Sequence, residues 1–180
     1  MIRVALVDDQ AIVRTGLARI LSPADGFEVV AECADGRQAV EELPALRPEV
    51  VLMDIRMPVL DGIAATAQLQ RAVDTIAVLV LTTFGEDEVL WGALEAGAAG
   101  FVLKDSSAEE LIAAVRAVAA GAAWFDPAVA PRPRPGRGDR VRLRPRRGHA
   151  RSRTAVVISA RLWSEVNSGP WGDVRSATGA

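Results

Sequence analysis

The sequence predicts an α/β domain, a parallel five-stranded sheet with helices on both faces. Three observations predict it. Over residues 1–121, short apolar runs alternate with helical stretches of about 10 to 14 residues carrying apolar side chains at three-to-four spacing. The third and fourth runs, VVLM (50–53) and IAVLVL (76–81), lack polar alternation, as central strands covered on both sides should. Helix start and stop residues fall between the runs, where such a fold needs them.

The elements follow in order. The first strand is IRVALV (2–7), and Asp8-Asp9 follow it. The next helix carries Ile12, Gly16, Leu17, Ile20 and Leu21 on one stripe. FEVVAEC (27–33) is the second strand, and Asp35 with Gln38 reads as a capping box for the second helix. VVLM is the third strand and runs into Asp54; Asp61, with Gly62 beside it, reads as the N-cap of the third helix. Thr82-Thr83 follow the fourth strand, and Gly97 sits where the next helix should end. GFVL (100–103) is the fifth strand, followed by Lys104. Ser107 and Glu110 form a second capping box ahead of a stripe of Leu111, Ile112, Val115 and Val118, closed by Gly121.

Charge divides the chain. Residues 1–130 carry 20 acidic against 9 basic side chains, and residues 131–180 carry 3 against 12. The domain reading is therefore a body at 1–121, a linker at 122–130 and an Arg/Pro/Gly-rich tail at 131–180. Cys33 is the only cysteine, so no intrachain disulfide forms, which suits a reducing compartment. The longest aliphatic run falls far short of the roughly 20 apolar residues a membrane helix needs. MIRVALVDD turns acidic where a signal peptide would stay apolar. The expectation is a soluble, cytoplasmic protein with no membrane partner.

In open parallel sheets, sites form beyond the carboxyl ends of the strands, where strand order reverses. In a 2-1-3-4-5 order the first and third strands are neighbours there, and Asp8, Asp9 and Asp54 face one another. Three clustered carboxylates call for a hard divalent cation with oxygen ligands, and magnesium fits. Asp54 can then serve as a nucleophile toward a phosphoryl donor, with Lys104 neutralising phosphoryl oxygens and Thr82 donating a hydrogen bond. Asp9 alone can also be read as a helix N-cap, Phe101 as plain core, Thr83 as structural and Cys33 as a small buried hydrophobe. His149 is the only histidine, so a Ser-His-Asp triad or zinc cluster lacks parts. No G-x-x-x-x-G-K-[ST] run is present. An aspartyl phosphatase would carry a second acid two residues after its nucleophile, where this chain has Arg56.

The residues Asp8-Asp9, Asp54 with Met57-Pro58 and Asp61-Gly62, Thr82 and Lys104 resemble the receiver domain of two-component response regulators over residues 1 to about 126. The wording VDDQAIVRTGL, LTTF and GAAGFVLKD is similar to the NarL/LuxR-type subfamily. The resemblance implies a flavodoxin-like (βα)5 fold with Asp54 as phosphoacceptor. It implies magnesium held by Asp8, Asp9, Asp54 and the Arg56 backbone carbonyl. Thr82 would be the switch hydroxyl and Phe101 the switch aromatic. The partner would be a histidine kinase, phosphorylation would favour a homodimer, and the only catalysis would be autophosphorylation and autodephosphorylation. Output would be transcription regulation through DNA.

The family's DNA-binding helix-turn-helix module takes roughly 60 residues of helical patterning. Residues 131–180 lack that patterning. PRPRPGRGDRVRLRPRRGHARSR (131–153) has ten arginines, four prolines and no lysine. Arg, Ala, Gly and Pro have GC-rich codons, so the leading reading of the tail is an output domain translated out of frame. A basic arm binding nucleic acid through counterion release is one competitor, and a disordered tail folding on a partner or on the acidic body is another. A stand-alone receiver, acting as phosphate sink or dimerisation competitor without DNA contact, is the alternative function.

Overall fold

The structure is a computed structural model and describes residues 1–83 and 87–126. All expectations for the 131–180 tail lie outside the described residues. The described chain runs β1 (Ile2–Val7), α1 (Ala11–Ile20), β2 (Phe27–Cys33), α2 (Gly36–Leu46), β3 (Val50–Asp54), α3 (Gly62–Ala72), β4 (Ala77–Thr82), α4 (Asp87–Ala96), β5 (Gly100–Leu103), α5 (Ala108–Ala119) and β6 (Trp124–Phe125). A short 3-10 turn, Pro23–Asp25, precedes β2.

Every strand pair is parallel, in the order β2-β1-β3-β4-β5-β6. The 2-1-3-4-5 order is therefore present, but the sheet has six strands rather than the five expected. β6 falls within the stretch read as linker, and its two residues are too short to leave a periodic signal. β3 and β4 are buried along their whole length, as their unbroken apolar runs require.

Alternation along the strands builds two cores. Ala5, Val7, Val51, Met53, Val78, Val80 and Phe101 face α2, α3 and α4. Val4, Leu6, Val50, Leu52, Leu79, Leu81 and Val102 face α1 and α5. Leu17 of α1 and Leu21 at its C-cap enter the second core, whereas Ile12 is 78% exposed and not on the buried stripe the spacing predicts. It lies in the first turn of α1, next to the N-cap Gln10. Cys33 is fully buried, and burial, helped by Glu42 and Asp35, pushes its thiol up to about 12. It is core, as read.

Helix ends follow the sequence with one variation. Ser107 and Glu110 cap each other reciprocally. Asp35 accepts from the Gln38 N–H at 2.9 Å, but the Gln38 side chain accepts from Ala34 N–H instead of the cap residue. Asp61 accepts from Ala64 N–H at 2.8 Å. Gly97 and Gly121 take left-handed φ of 103° and 86° after α4 and α5. The N-cap of α1 is Gln10, so Asp9 is not spent on capping.

β6 depends on Gly100. A Cβ there would lie 1.9 Å from the Trp124 carbonyl oxygen. Asp126 N–H donates to the Phe101 carbonyl at 3.2 Å, and the Phe101 and Phe125 rings pack with centroids 5.7 Å apart. Gly100→Ala is expected to displace β6 at a cost of about 1–3 kcal/mol. Hydrogen exchange should show protection lost at Asp126 and kept in β4; unchanged protection at Asp126 would contradict this close approach.

Candidate functional site

Strand parity gathers the acids. The β1–β3 register pairs Val7 with Met53, and one step further puts Asp8 beside Asp54. Both continue the series that faces α1 and α5, because Leu6 and Leu52 are on that side. Val102 is on that side too, so Lys104, two residues on, has the same parity. Its backbone N–H donates to the Thr82 carbonyl at 2.9 Å, which holds the start of the β5–α5 loop against the end of β4.

The long Lys104 side chain reaches back across the sheet end. Its Nζ lies 2.7 Å from Asp8 Oδ2 and 3.2 Å from Asp54 Oδ1. Asp8 is fully buried and Asp54 is 6% exposed, while Asp9 is exposed. One ligand atom from each of Asp8, Asp9 and Asp54 lies within 4.8 Å of the others. Three carboxylates and a single ammonium leave an excess of negative charge with oxygen donors only. That donor set fits a hard divalent ion such as magnesium.

The carboxylates are oriented from the backbone. Asp54 Oδ1 accepts from Ile55 N–H at 2.9 Å, and Asp8 Oδ1 accepts from Gln10 N–H at 2.9 Å. Burial raises the Asp54 pKa above its ordinary value, and the Asp8 charge adds to this; Lys104 opposes both without overcoming them. For Lys104, burial is the largest single influence and works against the ammonium. Its ion pairs with Asp8 and Asp54 together outweigh burial and raise its pKa.

The segment joining Asp54 to α3 is shaped by a close approach. A Cβ on Gly62 would lie 2.0 Å from the Asp54 carbonyl oxygen, and Gly62 N–H donates to the Ile55 carbonyl at 2.9 Å. Asp61 serves as cap, Gly62 as spacer and Met57 as a buried anchor. Val59 stands exposed with φ of 67°, a conformation uncommon for a β-branched residue. Arg56 is exposed on the same segment.

Thr82 continues the other face of β4, after Val78 and Val80. It is 5% exposed and shares that face with Phe101, which is fully buried. The hydroxyl and the aromatic ring are therefore on one side of the sheet, with the Asp8–Asp54–Lys104 group emerging on the other. Sequence reasoning missed Arg14, whose Nη1 donates to the Asp8 carbonyl at 2.6 Å. It lies on α1 within the stretch VDDQAIVRTGL, and residue identity there does not show what its guanidinium touches.

A family model described as "Response regulator receiver domain" matches residues 4–116. The transcriptional regulatory protein LnrK of Bacillus subtilis (strain 168) is 41% identical over 127 residues, 71% of this chain and 58% of that protein. The response regulator GacA of Pseudomonas viridiflava is 40% identical over 130 residues, 72% of this chain and 61% of that protein. The match thus spans less than two thirds of either relative. Among solved structures, the signal receiver domain of response regulator NarL from Mycobacterium tuberculosis superposes with TM-score 0.63 at 38% identity, covering 67% of this chain and 97% of that one. A LuxR-family two-component response regulator from an Aurantimonas species gives TM-score 0.65 at 35% identity, covering 69% and 88%.

Two stability predictions follow from the charges. The raised Asp54 pKa means the folded state disfavours its ionised form, so this group costs stability above its folded-state pKa. Asp54→Asn should therefore raise the metal-free melting temperature at pH 7 by on the order of 2 °C. The gain should shrink as pH falls through the Asp54 pKa; a melting temperature lowered at pH 7 would contradict it. Lys104 has the opposite sign, contributing stability below its ordinary pKa and losing it as pH rises through the folded-state value. Lys104→Met leaves buried Asp8 unpaired and should cost about 3 kcal/mol in denaturant unfolding at pH 7.

Proposed function

Because the chain belongs to the response regulator receiver family, we propose that it accepts a phosphoryl group on Asp54 from a histidine kinase and passes the signal on by changing conformation. The observation that carries this is the convergence of Asp8, Asp9, Asp54 and Lys104 at the carboxyl end of the sheet. Asp8, Asp9 and Asp54, with the Arg56 backbone carbonyl, are the residues to hold magnesium, which would supply charge neutralisation to the incoming phosphoryl group.

Ile55 N–H and Lys104 hold Asp54 Oδ1 and leave Oδ2 to attack phosphorus. The new O–P bond forms as the N–P bond to the kinase histidine breaks, and the imidazole nitrogen leaves with the electron pair. Lys104 then exchanges Asp54 for a phosphoryl oxygen. Its mobile point charge suits that exchange. Thr82 turns toward the phosphoryl group, and Phe101 takes the space released, a shift between two packings biased by a local charge change. The chain signals rather than turning over a substrate, its own phosphorylation and dephosphorylation being its only chemistry.

By analogy with LnrK, named as a transcriptional regulatory protein, the output is transcription regulation. The receiver reading further has phosphorylation favour a homodimer. A second reading is a stand-alone receiver acting as phosphate sink or dimerisation competitor. The arginine-, proline- and glycine-rich composition of 131–180, without helical periodicity, favours it. Particle size with and without phosphodonor, together with DNA retention at low salt, separates the two. Among the described residues no helix is long and apolar enough to cross a membrane.

The direct test is labelling. With magnesium and acetyl phosphate, mass spectrometry should find one phosphoryl group on the peptide containing Asp54. Asp54→Asn should reduce this to background. Full labelling of that variant would rule out Asp54 as acceptor.

A further inference from the structure

We propose that Arg14 is a positioning residue for the acidic site. Its guanidinium holds the Asp8–Asp9 peptide in the orientation that gathers the carboxylates of Asp8, Asp9 and Asp54 around a divalent cation. The inference rests on the reading of those three acids as a magnesium site, and it assigns a task to a residue outside them.

Asp8 is fixed at each of its polar groups. Its N–H donates to the Cys33 carbonyl at 3.1 Å, Oδ1 accepts from Gln10 N–H, and Oδ2 pairs with Lys104. The carbonyl oxygen accepts from Arg14 Nη1 at 2.6 Å. That carbonyl belongs to the peptide leading into Asp9. Asp9 is exposed, so packing does not fix its carboxylate; the plane of the preceding peptide sets where its side chain starts. Arg14 fixes that plane.

Arg14 is itself anchored. Its side chain is 16% exposed, and its Nε lies 3.6 Å from Glu32 Oε2 on edge strand β2. The guanidinium thus ties β2 and α1 to the β1–α1 loop. The Glu32 contact is an ion pair and not a hydrogen bond, so Nη1 makes the one directional bond while the spread guanidinium charge faces Glu32; a lysine ammonium at the same place is a single point. Glu32 also offsets the Arg14 charge, so the hydrogen bond is made beside a cation site at reduced repulsion.

Positioning and simple charge predict opposite outcomes. Removing a positive charge near a cation site, with nothing else altered, strengthens cation binding. Removing the residue that orients a ligand weakens it, typically about tenfold or more. The experiment is calorimetric titration of the full chain with magnesium chloride, using wild type, Arg14→Met and Arg14→Lys, with far-UV circular dichroism confirming the fold of each. Arg14→Met is expected to raise the magnesium Kd about tenfold, while its maximal rate of labelling by acetyl phosphate at saturating magnesium stays within about twofold of wild type, as for lost ground-state binding. Arg14→Lys, which keeps the charge and one donor, is expected to have an intermediate Kd, and it carries the test if the methionine variant does not fold. An unchanged or lower Kd in the folded variant overturns the inference and leaves the receiver reading standing. Wild-type protein that neither binds magnesium nor takes label overturns both.

Discussion

The Lys104 ammonium, set between two buried carboxylates, is the interaction on which the end of the sheet depends. Asp8 and Asp54 approach each other because β1 and β3 are hydrogen-bonded neighbours in register, and parity directs both toward the same side. Without a cation between them, two buried carboxylates at that separation would repel strongly in a medium that screens little. Lys104 supplies one charge, at 2.7 Å from Asp8 and 3.2 Å from Asp54, and leaves Asp9 and half the remaining charge unmet. The side chains of the site are therefore held together with an excess of negative charge. Burial raises the Asp54 pKa, and the Asp8 charge adds to this against the pull of Lys104. A site balanced in this way gains from a divalent ion and from any event that lets Lys104 move to a new anion.

The fold's contribution is geometric. A parallel sheet brings all its carboxyl ends to one edge, and its pleat sorts side chains by parity. Asp8, Asp54 and Lys104 share one parity, and Thr82 and Phe101 share the other. The same sheet end thus separates the charged group from the hydroxyl–aromatic pair, with only the strand backbones between them. Gly62 completes the arrangement, because the Asp54 carbonyl occupies the place its Cβ would take and α3 can begin close against β3.

Much of this was legible in the sequence, for reasons tied to particular residues. The strands at 50–53 and 76–81 read as central because nothing polar interrupts them, and burial on both faces is the only environment that tolerates that. Asp8, Asp54 and Lys104 were legible because each follows an apolar run directly, so strand ends alone locate them. The misses are of another kind. Ile12 fits a helical stripe, but periodicity does not say which turns of a helix are covered, and this one, in the first turn, is exposed. β6 is two residues long and is held by the absence of a side chain at Gly100, a tertiary fact. Arg14 acts on a backbone carbonyl six positions earlier, through a helix turned back on its loop, and residue identity alone carries no trace of such a contact.

β6 also bears on how a change at Phe101 would leave the domain. Phe101 has no solvent exposure, and Phe125 packs against its ring from the neighbouring strand. The two strands are further tied by Asp126 N–H to the Phe101 carbonyl and by Ser106 Oγ to Asp126 Oδ2 at 3.3 Å. A rotation of the Phe101 ring would withdraw the surface against which Phe125 rests. Two residues of strand pairing offer little to hold β6 once that packing is lost, since short edge pairing is marginal by itself. The strand that periodicity could not reveal is thus coupled to the proposed switch through the packing of Phe125 on Phe101.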